Sequence, residues 1–157
     1  MKLVRILGLL VLAAGVAAVA IGAVFITEGS MKNNLIVDRM NIEKVSLNLD
    51  PDNPEVFTPI NNADDAQKAA DIIASHRRAI APTYQDLLNQ GTGRFDPTNP
   101  TDLAYAQAMN LENYLYMAVT AFGLIQVTIA NGVFMVIVGL AVGGAGFALY
   151  RVSRVKQ

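Results

Sequence analysis

Two long uncharged stretches flank a polar middle region in this sequence. The first covers residues 6–26 and the second covers residues 115–149. A helix needs about 20 apolar residues to cross the hydrocarbon core of a bilayer, so both stretches predict membrane-spanning helices. The second stretch is longer than one crossing requires. We expect it to form one long helix whose first part stands above the membrane, rather than two short spans broken at Asn131 and Gly132.

The first stretch also begins as a secretory signal would, because Lys2 and Arg5 precede it. Signal cores contain about 7–15 apolar residues and end in a small-residue cleavage site. The core here is longer, so the sequence favours a retained membrane anchor. Hydrophobic residues make up 53% of the chain and charged residues 16%, a balance more typical of a membrane protein than of a soluble domain.

The polar middle region predicts an extension of the first helix and one extended segment. The first helix has no clear stop signal after residue 26, and we expect it to continue to about Met40. The alternation of Val45, Leu47 and Leu49 predicts a short extended segment. With no cysteine in the chain, the middle region must be held together by packing rather than by disulfides.

Capping residues predict two shorter helices in the middle region. Asn62 is a suitable N-cap for a helix with an apolar stripe, and Asp64 and Asp65 suit the positive N-terminal end of that helix. A second short helix is expected over residues 82–88, with Pro82 in its first turn.

The last helix is expected to run from about Pro100 to Tyr150. Asn99 is expected as its N-cap, with Pro100 at the first helical position and Asp102 in the first turn. We expect the apolar positions of its upper part to face the rest of the middle region. These positions are Leu103, Ala106, Leu111, Tyr114, Leu115 and Ala118.

Charge placement predicts the orientation in the membrane. All thirteen acidic residues lie within residues 28–112, together with seven Lys and Arg residues. The charged residues of the two tails are all basic. Positive residues near span ends stay in the cytoplasm, so both termini are expected inside a bacterial cytoplasmic (inner) membrane, with residues of about 28–114 outside.

The expected fold is an all-α membrane protein with two antiparallel transmembrane helices and a small, mostly helical extracytoplasmic domain between them. The second helix is long and extends above the membrane. The expected segments are a cytoplasmic tail with the first transmembrane helix (1–27), the extracytoplasmic domain (28–114), the long helix that includes the second transmembrane helix (115–150) and a cytoplasmic tail (151–157).

Glycines recur at seven-residue spacing in both apolar stretches. They are Gly8, Gly15 and Gly22 in the first and Gly132, Gly139 and Gly146 in the second, where Gly143 adds one more. Seven residues return to nearly the same helix face, and small residues let membrane helices pack closely. In antiparallel helices, one register brings every glycine of one repeat opposite a glycine of the other. We expect these faces to pack within one chain; packing between chains and coincidence are the alternatives.

The same register places the polar residues of the second stretch. Gln126 is expected at the membrane interface, and Asn131 about one turn inside, where we expect its amide to form a hydrogen bond across the helices. No ionisable residue lies within either stretch, which argues against an ion or proton pathway formed by this chain alone.

Candidate catalytic groups are scarce in the sequence. His76 is the single histidine, whereas a zinc site takes three or four protein ligands. Residues 50–55 (DPDNPE) resemble a calcium loop but lack its glycine and its distant glutamate. We expect His76, Arg77 and Arg78 to form a solvated basic helix end. The sequence therefore predicts no enzyme activity, no metal, no cofactor and no nucleic-acid partner.

Two functions from different classes remain open. The first is a structural or accessory subunit of a homo-oligomer or of a larger membrane complex, including a photosynthetic or respiratory one, with membrane lipid and other subunits as partners. The second is an extracytoplasmic module that binds a lipid or other apolar ligand. The residues expected to line such a cavity are Tyr114, Leu115, Tyr116 and Phe122.

Three short strings carry a resemblance to a known group of proteins. They are MKLVRILG at the first span, TYQDLL in the middle region and YAQAMNLENYLYMAVTAFG entering the second span. In these strings and in layout the chain resembles a family of small bacterial two-span membrane proteins of actinobacterial type. Some members carry the label of aromatic-ring-opening dioxygenase. That chemistry needs iron, typically held by two histidines and a carboxylate, so one histidine argues against the label here.

Overall fold

The computed structural model of the protein describes residues 2–46 and 57–155. Four helices follow one another along the chain: α1 (Lys2–Ile42), α2 (Ala63–Ile80), α3 (Tyr84–Gln90) and α4 (Pro100–Val155). Within these residues there is no strand, and one isolated antiparallel bridge joins Ser46 to Pro59. The all-α prediction is therefore confirmed for the described part of the chain.

The two long apolar helices predicted from the sequence are α1 and α4. Each is long and apolar enough to cross a membrane, by length and composition. α1 ends at Ile42, slightly beyond the expected Met40, and α4 continues past the expected Tyr150. The Asn99 side chain accepts a hydrogen bond from the Thr101 N–H at 2.9 Å, which confirms the predicted cap.

The caps of the two shorter helices differ in how well they match the expectation. Asn62 Oδ1 accepts a hydrogen bond from the Asp65 N–H at 2.9 Å, so the predicted cap of α2 is confirmed. The prediction for α3 was wrong in detail, because Thr83 is its N-cap and Pro82 lies before the cap. The Thr83 hydroxyl accepts a hydrogen bond from the Asp86 N–H at 3.2 Å, which a proline side chain cannot do.

The predicted extended segment lies only partly within the described residues. The Thr58 N–H donates to the Ser46 hydroxyl at 3.0 Å, so the chain just after Val45 pairs with the chain before α2. Leu47 and Leu49, on which the predicted alternation also depends, lie outside the described residues.

The chain divides into two compact units. The first, here called the long-helix unit, contains residues 1–34 and 124–157, and the second, the small-helix unit, contains residues 35–123. The core of the small-helix unit is built on three buried alanines of α2, which are Ala66, Ala69 and Ala70. They pack with Leu115 and Phe122 of α4. The absence of long side chains on this face of α2 brings its backbone close to the larger side chains of α4.

Two residues of α4 that were expected to face this core are exposed instead. Leu103 is 42% exposed and Tyr114 is 68% exposed. The buried face of this part of α4 contains Tyr105, Glu112 and Leu115, which recur at helical spacing. Adjacent helix residues differ in direction by about 100°. Leu115 and Ala118 of the predicted set are buried as expected, so the apolar pattern was wrong for Leu103 and Tyr114 only.

Candidate functional site: the glycine seam

Glycine is the residue type that α1 buries. Its buried residues are Gly8, Gly15, Gly22 and Gly29, which lie at one repeated spacing on one helix face. The first three were predicted as a packing set, and Gly29 was missed. The signal for Gly29 was present in the sequence, because it continues the same seven-residue repeat.

These glycines contact residues of α4 within the same chain. A Cβ atom added to Gly8 would lie 2.8 Å from the Tyr150 backbone nitrogen and 3.1 Å from the Gly146 oxygen. One added to Gly22 would lie 2.6 Å from the Gly132 oxygen. The surface formed by these contacts is here called the glycine seam.

The two backbones also approach closely in the middle of the glycine seam. A Cβ on Gly15 would lie 2.5 Å from the Gly143 Cα and 2.6 Å from the Gly139 oxygen. Conversely, a Cβ on Gly139 would lie 2.7 Å from the Gly15 oxygen. Such distances are well inside the carbon contact distance of about 3.5–4.0 Å. Neither helix therefore has space for a side chain at these positions, and the two backbones are in direct contact.

The register along the seam is offset from a direct opposition of glycines. Gly15 fits between Gly139 and Gly143, which lie one turn apart on α4, and Gly8 fits between Gly146 and Tyr150 in the same way. The numbers of the α4 partners fall as the α1 numbers rise. Each glycine therefore fills a gap between two residues instead of facing a single glycine, which lets the two backbones interlock.

Not every glycine of α4 is needed for this close approach. A Cβ on Gly143 would lie 3.8 Å from the Gly15 Cα, which is an ordinary contact, and a Cβ on Gly144 or Gly123 would meet no atom within 4 Å. Gly143 is thus in contact with Gly15, but there is space for a side chain at its own Cβ position. The crowded positions on α4 are Gly132, Gly139 and Gly146.

The expectation for Asn131 was wrong. Its side chain is exposed and forms no hydrogen bond to another described residue. Asn131 precedes Gly132, which lies in the seam, and one step along a helix turns the side chain by about 100° away from that face. Gln126 is also exposed.

An open apolar groove of about 580 Å³ runs along one side of the seam in the long-helix unit. Gly15, Gly139 and Gly143 contribute to its lining together with larger apolar residues such as Leu140 and Phe147. No acidic or basic residue lines it. The groove is therefore suited to an apolar occupant such as an acyl chain or a neighbouring helix.

The four residues predicted to line an apolar-ligand cavity do not line one common cavity among the described residues. Phe122 and Leu115 are 1% and 3% exposed and belong to the core of the small-helix unit. Tyr116 is half-buried, and its hydroxyl donates to Asp71 Oδ1 at 3.2 Å. Tyr114 and Leu115 border a shallow open groove of about 380 Å³, also in the small-helix unit.

A buried ion pair was missed by the sequence reasoning. Arg77 of α2 donates from Nε to Glu112 Oε2 at 2.6 Å and from Nη1 to the Tyr105 hydroxyl at 2.6 Å. The two charged side chains are only 13% and 10% exposed. The hydrogen bond to Glu112, assisted by the charge of that carboxylate, raises the pKa of Arg77 above its ordinary value, so the guanidinium stays charged.

The expectation that residues 76–78 form a solvated basic end was therefore wrong for Arg77, while His76 and Arg78 are exposed. The sequence signal for a buried ion pair was Glu112, an acidic residue that lies one turn before Leu115 on the buried face of α4. Among the described residues, no group of three or more His, Cys, Asp or Glu side chains is arranged to hold a metal ion.

Comparisons with protein family models, with curated proteins and with solved structures give no match to this chain. The seam, the grooves and the buried ion pair are therefore the observations on which a functional assignment rests.

Proposed function

We propose that this chain is a non-enzymatic two-span membrane protein and serves as a structural or accessory subunit of a homo-oligomer or a larger membrane complex. In this proposal α1 and α4 cross a bacterial cytoplasmic membrane as antiparallel helices. Both termini are in the cytoplasm, and residues of about 28–114 are outside. The observation that carries the proposal is the apolar, glycine-lined groove beside the seam.

The exposure of the long helices supports a membrane location. Only 11% of the most apolar part of α1 and 22% of that of α4 is buried. Large apolar side chains such as Leu10, Phe134 and Leu140 are exposed. Monomeric soluble proteins rarely expose contiguous apolar surface of this extent, so lipid or other subunits are the expected neighbours.

The groove supports a role as a subunit. Membrane helices associate by close packing at small residues, and the groove lining includes Gly144, where a Cβ would meet no atom within 4 Å. There is thus room for a neighbouring helix to approach the backbone of α4. The groove shares glycines with the intrachain seam, but its lining also includes the exposed Leu140, Gly144 and Phe147, which are available for an intermolecular contact.

Native mass measurement after extraction in a gentle detergent tests this role. We expect an oligomer or a complex with other membrane subunits, and we expect Gly144→Leu to shift the mass towards the single chain by filling the groove. Gly123→Leu is the matched control, because Gly123 is equally uncrowded on the same helix but lies outside the groove. A single chain for the unsubstituted protein, or equal effects of both variants, would contradict the proposal.

Membrane orientation has its own test. The chain contains no cysteine, so a single introduced cysteine reports its own location. We expect a membrane-impermeant maleimide to label Gln90→Cys in intact cells and Lys2→Cys only after permeabilisation. Both positions are exposed, so unequal labelling reflects the side of the membrane. The reverse pattern would contradict the proposed orientation.

A second candidate function, the binding of an apolar ligand, is favoured by the open groove next to Tyr114 and Leu115. Its apolar lining also includes Leu111, which is half-buried. A fluorescent fatty acid titrated into the detergent-solubilised protein is the probe. We expect Leu111→Trp to weaken its binding if this groove is the site, with Leu103→Trp, exposed on the same helix, as the control.

A further inference from the structure

Two arginines lie on one tyrosine ring at the paired ends of α1 and α4. The guanidinium carbon of Arg5 is 5.6 Å from the centre of the Tyr150 ring, and that of Arg154 is 5.2 Å from it. Both distances are within the range of about 6 Å in which a cation is attracted to an aromatic ring. Two positive groups that would repel each other in isolation thus share one partner.

The glycine seam determines this arrangement. Gly8 lets the backbone of Tyr150 approach, since a Cβ there would lie 2.8 Å from the Tyr150 nitrogen. Arg5 is about one turn before Gly8, and Arg154 is about one turn after Tyr150, so both reach the same ring. Within the last turns of α4, the buried Ser153 hydroxyl donates a hydrogen bond to the Tyr150 carbonyl at 2.6 Å.

Neither arginine has a carboxylate partner in the described part of the chain, where the ion pair present is that of Arg77. The first acidic residue along α1 is Glu28, about 35 Å away along the helix axis at about 1.5 Å per residue. That separation exceeds the Debye length of about 8 Å at physiological ionic strength. No acidic residue follows Glu112 on α4, and the exposed Lys2 and Arg151 add positive charge.

The helix ends themselves do not neutralise this charge. The N-terminal end of α1 carries a partial positive charge and the C-terminal end of α4 a partial negative charge of about the same size. These contributions roughly cancel where the two ends lie side by side. The side chains therefore decide the local field, and it is positive.

We propose that Arg5 and Arg154, held on Tyr150, bind the phosphate of an anionic phospholipid in the leaflet next to the helix ends. This inference rests on the proposed membrane location. Because neither guanidinium has a carboxylate partner in the described part of the chain, its N–H groups remain able to donate in a planar fork that matches phosphate oxygens. Ile6, next to Arg5 in the chain, and Val152, two residues before Arg154, are exposed apolar residues of the same helix ends and offer contact for an acyl chain.

A lipid headgroup is favoured over free phosphate because charge and apolar surface occur together here. Tyrosine is enriched at the level of the headgroups, and basic clusters at the cytoplasmic ends of transmembrane helices attract anionic lipids. A free phosphate ion would use the arginines alone and gain nothing from the adjacent apolar side chains.

The test uses the full-length protein reconstituted into nanodiscs of phosphatidylcholine alone or with phosphatidylglycerol, followed by native mass spectrometry of the lipids retained after release. We expect phosphatidylglycerol to be retained at least tenfold over its share in the disc. The double variant Arg5→Gln with Arg154→Gln is expected to lose this enrichment. The matched control, Lys32→Gln with Arg94→Gln, removes the same charge at exposed positions elsewhere and is expected to keep it.

Further variants separate the chemistry of the site from its charge. Arg5→Lys with Arg154→Lys keeps the charge but removes the fork, and we expect an intermediate enrichment. Tyr150→Phe keeps the ring and should behave as the unsubstituted protein, whereas Tyr150→Leu should lower the enrichment.

Three outcomes would overturn one proposal or the other. Equal retention of the two lipids refutes the anionic-lipid site while leaving the membrane location intact. Loss of the bound lipid on adding millimolar inorganic phosphate at constant ionic strength refutes the preference for a lipid. Failure of the chain to enter either type of disc refutes the membrane location itself, and with it the lipid site.

Discussion

Replacing Gly15 by alanine should separate the two long helices. The new Cβ would lie 2.5 Å from the Gly143 Cα and 2.6 Å from the Gly139 oxygen. Carbon atoms rest at about 3.5–4.0 Å from one another, so the backbones must move apart by about 1 Å. Both close neighbours are backbone atoms of a helix, which cannot rotate away as a side chain can.

The expected size of the effect follows from two opposing contributions. Overpacking a closely packed site costs about 1–3 kcal/mol. Alanine favours a helix over glycine by about 1 kcal/mol, which offsets part of that loss. We therefore expect Gly15→Ala to lower the free energy of unfolding by up to about 2 kcal/mol. The loss is larger if the separation spreads to the contacts at Gly8 and Gly22.

Two neighbouring substitutions serve as controls for the same chemical change. A Cβ on Gly143 would have its closest contact at 3.8 Å, and a Cβ on Gly123 would meet no atom within 4 Å. Both Gly143→Ala and Gly123→Ala should keep the helix-propensity gain and be neutral or stabilising by up to about 1 kcal/mol. Denaturant unfolding in detergent, followed by circular dichroism, measures all three variants. Equal stabilities of Gly15→Ala and Gly143→Ala would refute the seam geometry.

Further predictions concern the small-helix unit. Arg77→Ala should lower the free energy of unfolding by about 3 kcal/mol because it leaves Glu112 buried without its partner. The control Arg78→Ala, at an exposed position, should change it by less than about 0.5 kcal/mol. Chemical denaturation of the two variants measures the difference. Hydrogen bonds from Thr98 lower the pKa of Asp96 below its ordinary value. A lowered pKa in the folded state stabilises the fold above the unfolded pKa, and this is lost as the pH falls through the folded value. Asp96→Asn should therefore be less stable than the unsubstituted protein at pH 7, and the difference should shrink as the pH is lowered towards 2, as thermal melts across this range would show. A difference that stays constant with pH would contradict this account.

The helices themselves could be read from local patterns. Asn62 and Asn99 begin α2 and α4 because their side chains accept hydrogen bonds from N–H groups that have no partner within the helix. The uncharged stretches predicted the apolar parts of α1 and α4 because a long run of apolar residues is itself the local signal. The repeat of Gly8, Gly15 and Gly22 marked one helix face in the same way.

Which partner each face meets depends on the tertiary structure. Three-dimensional packing showed that Gly15 fits between two residues of α4 instead of facing one glycine, because the offset depends on how two backbones interlock. It placed Asn131 outside the seam. It also buried Arg77 with Glu112, residues far apart in sequence whose pairing no local pattern encodes. The sequence by itself determined where the helices run and which faces are small or charged. The tertiary structure decided which of those faces come into contact, because contact distance and register are properties of two elements together.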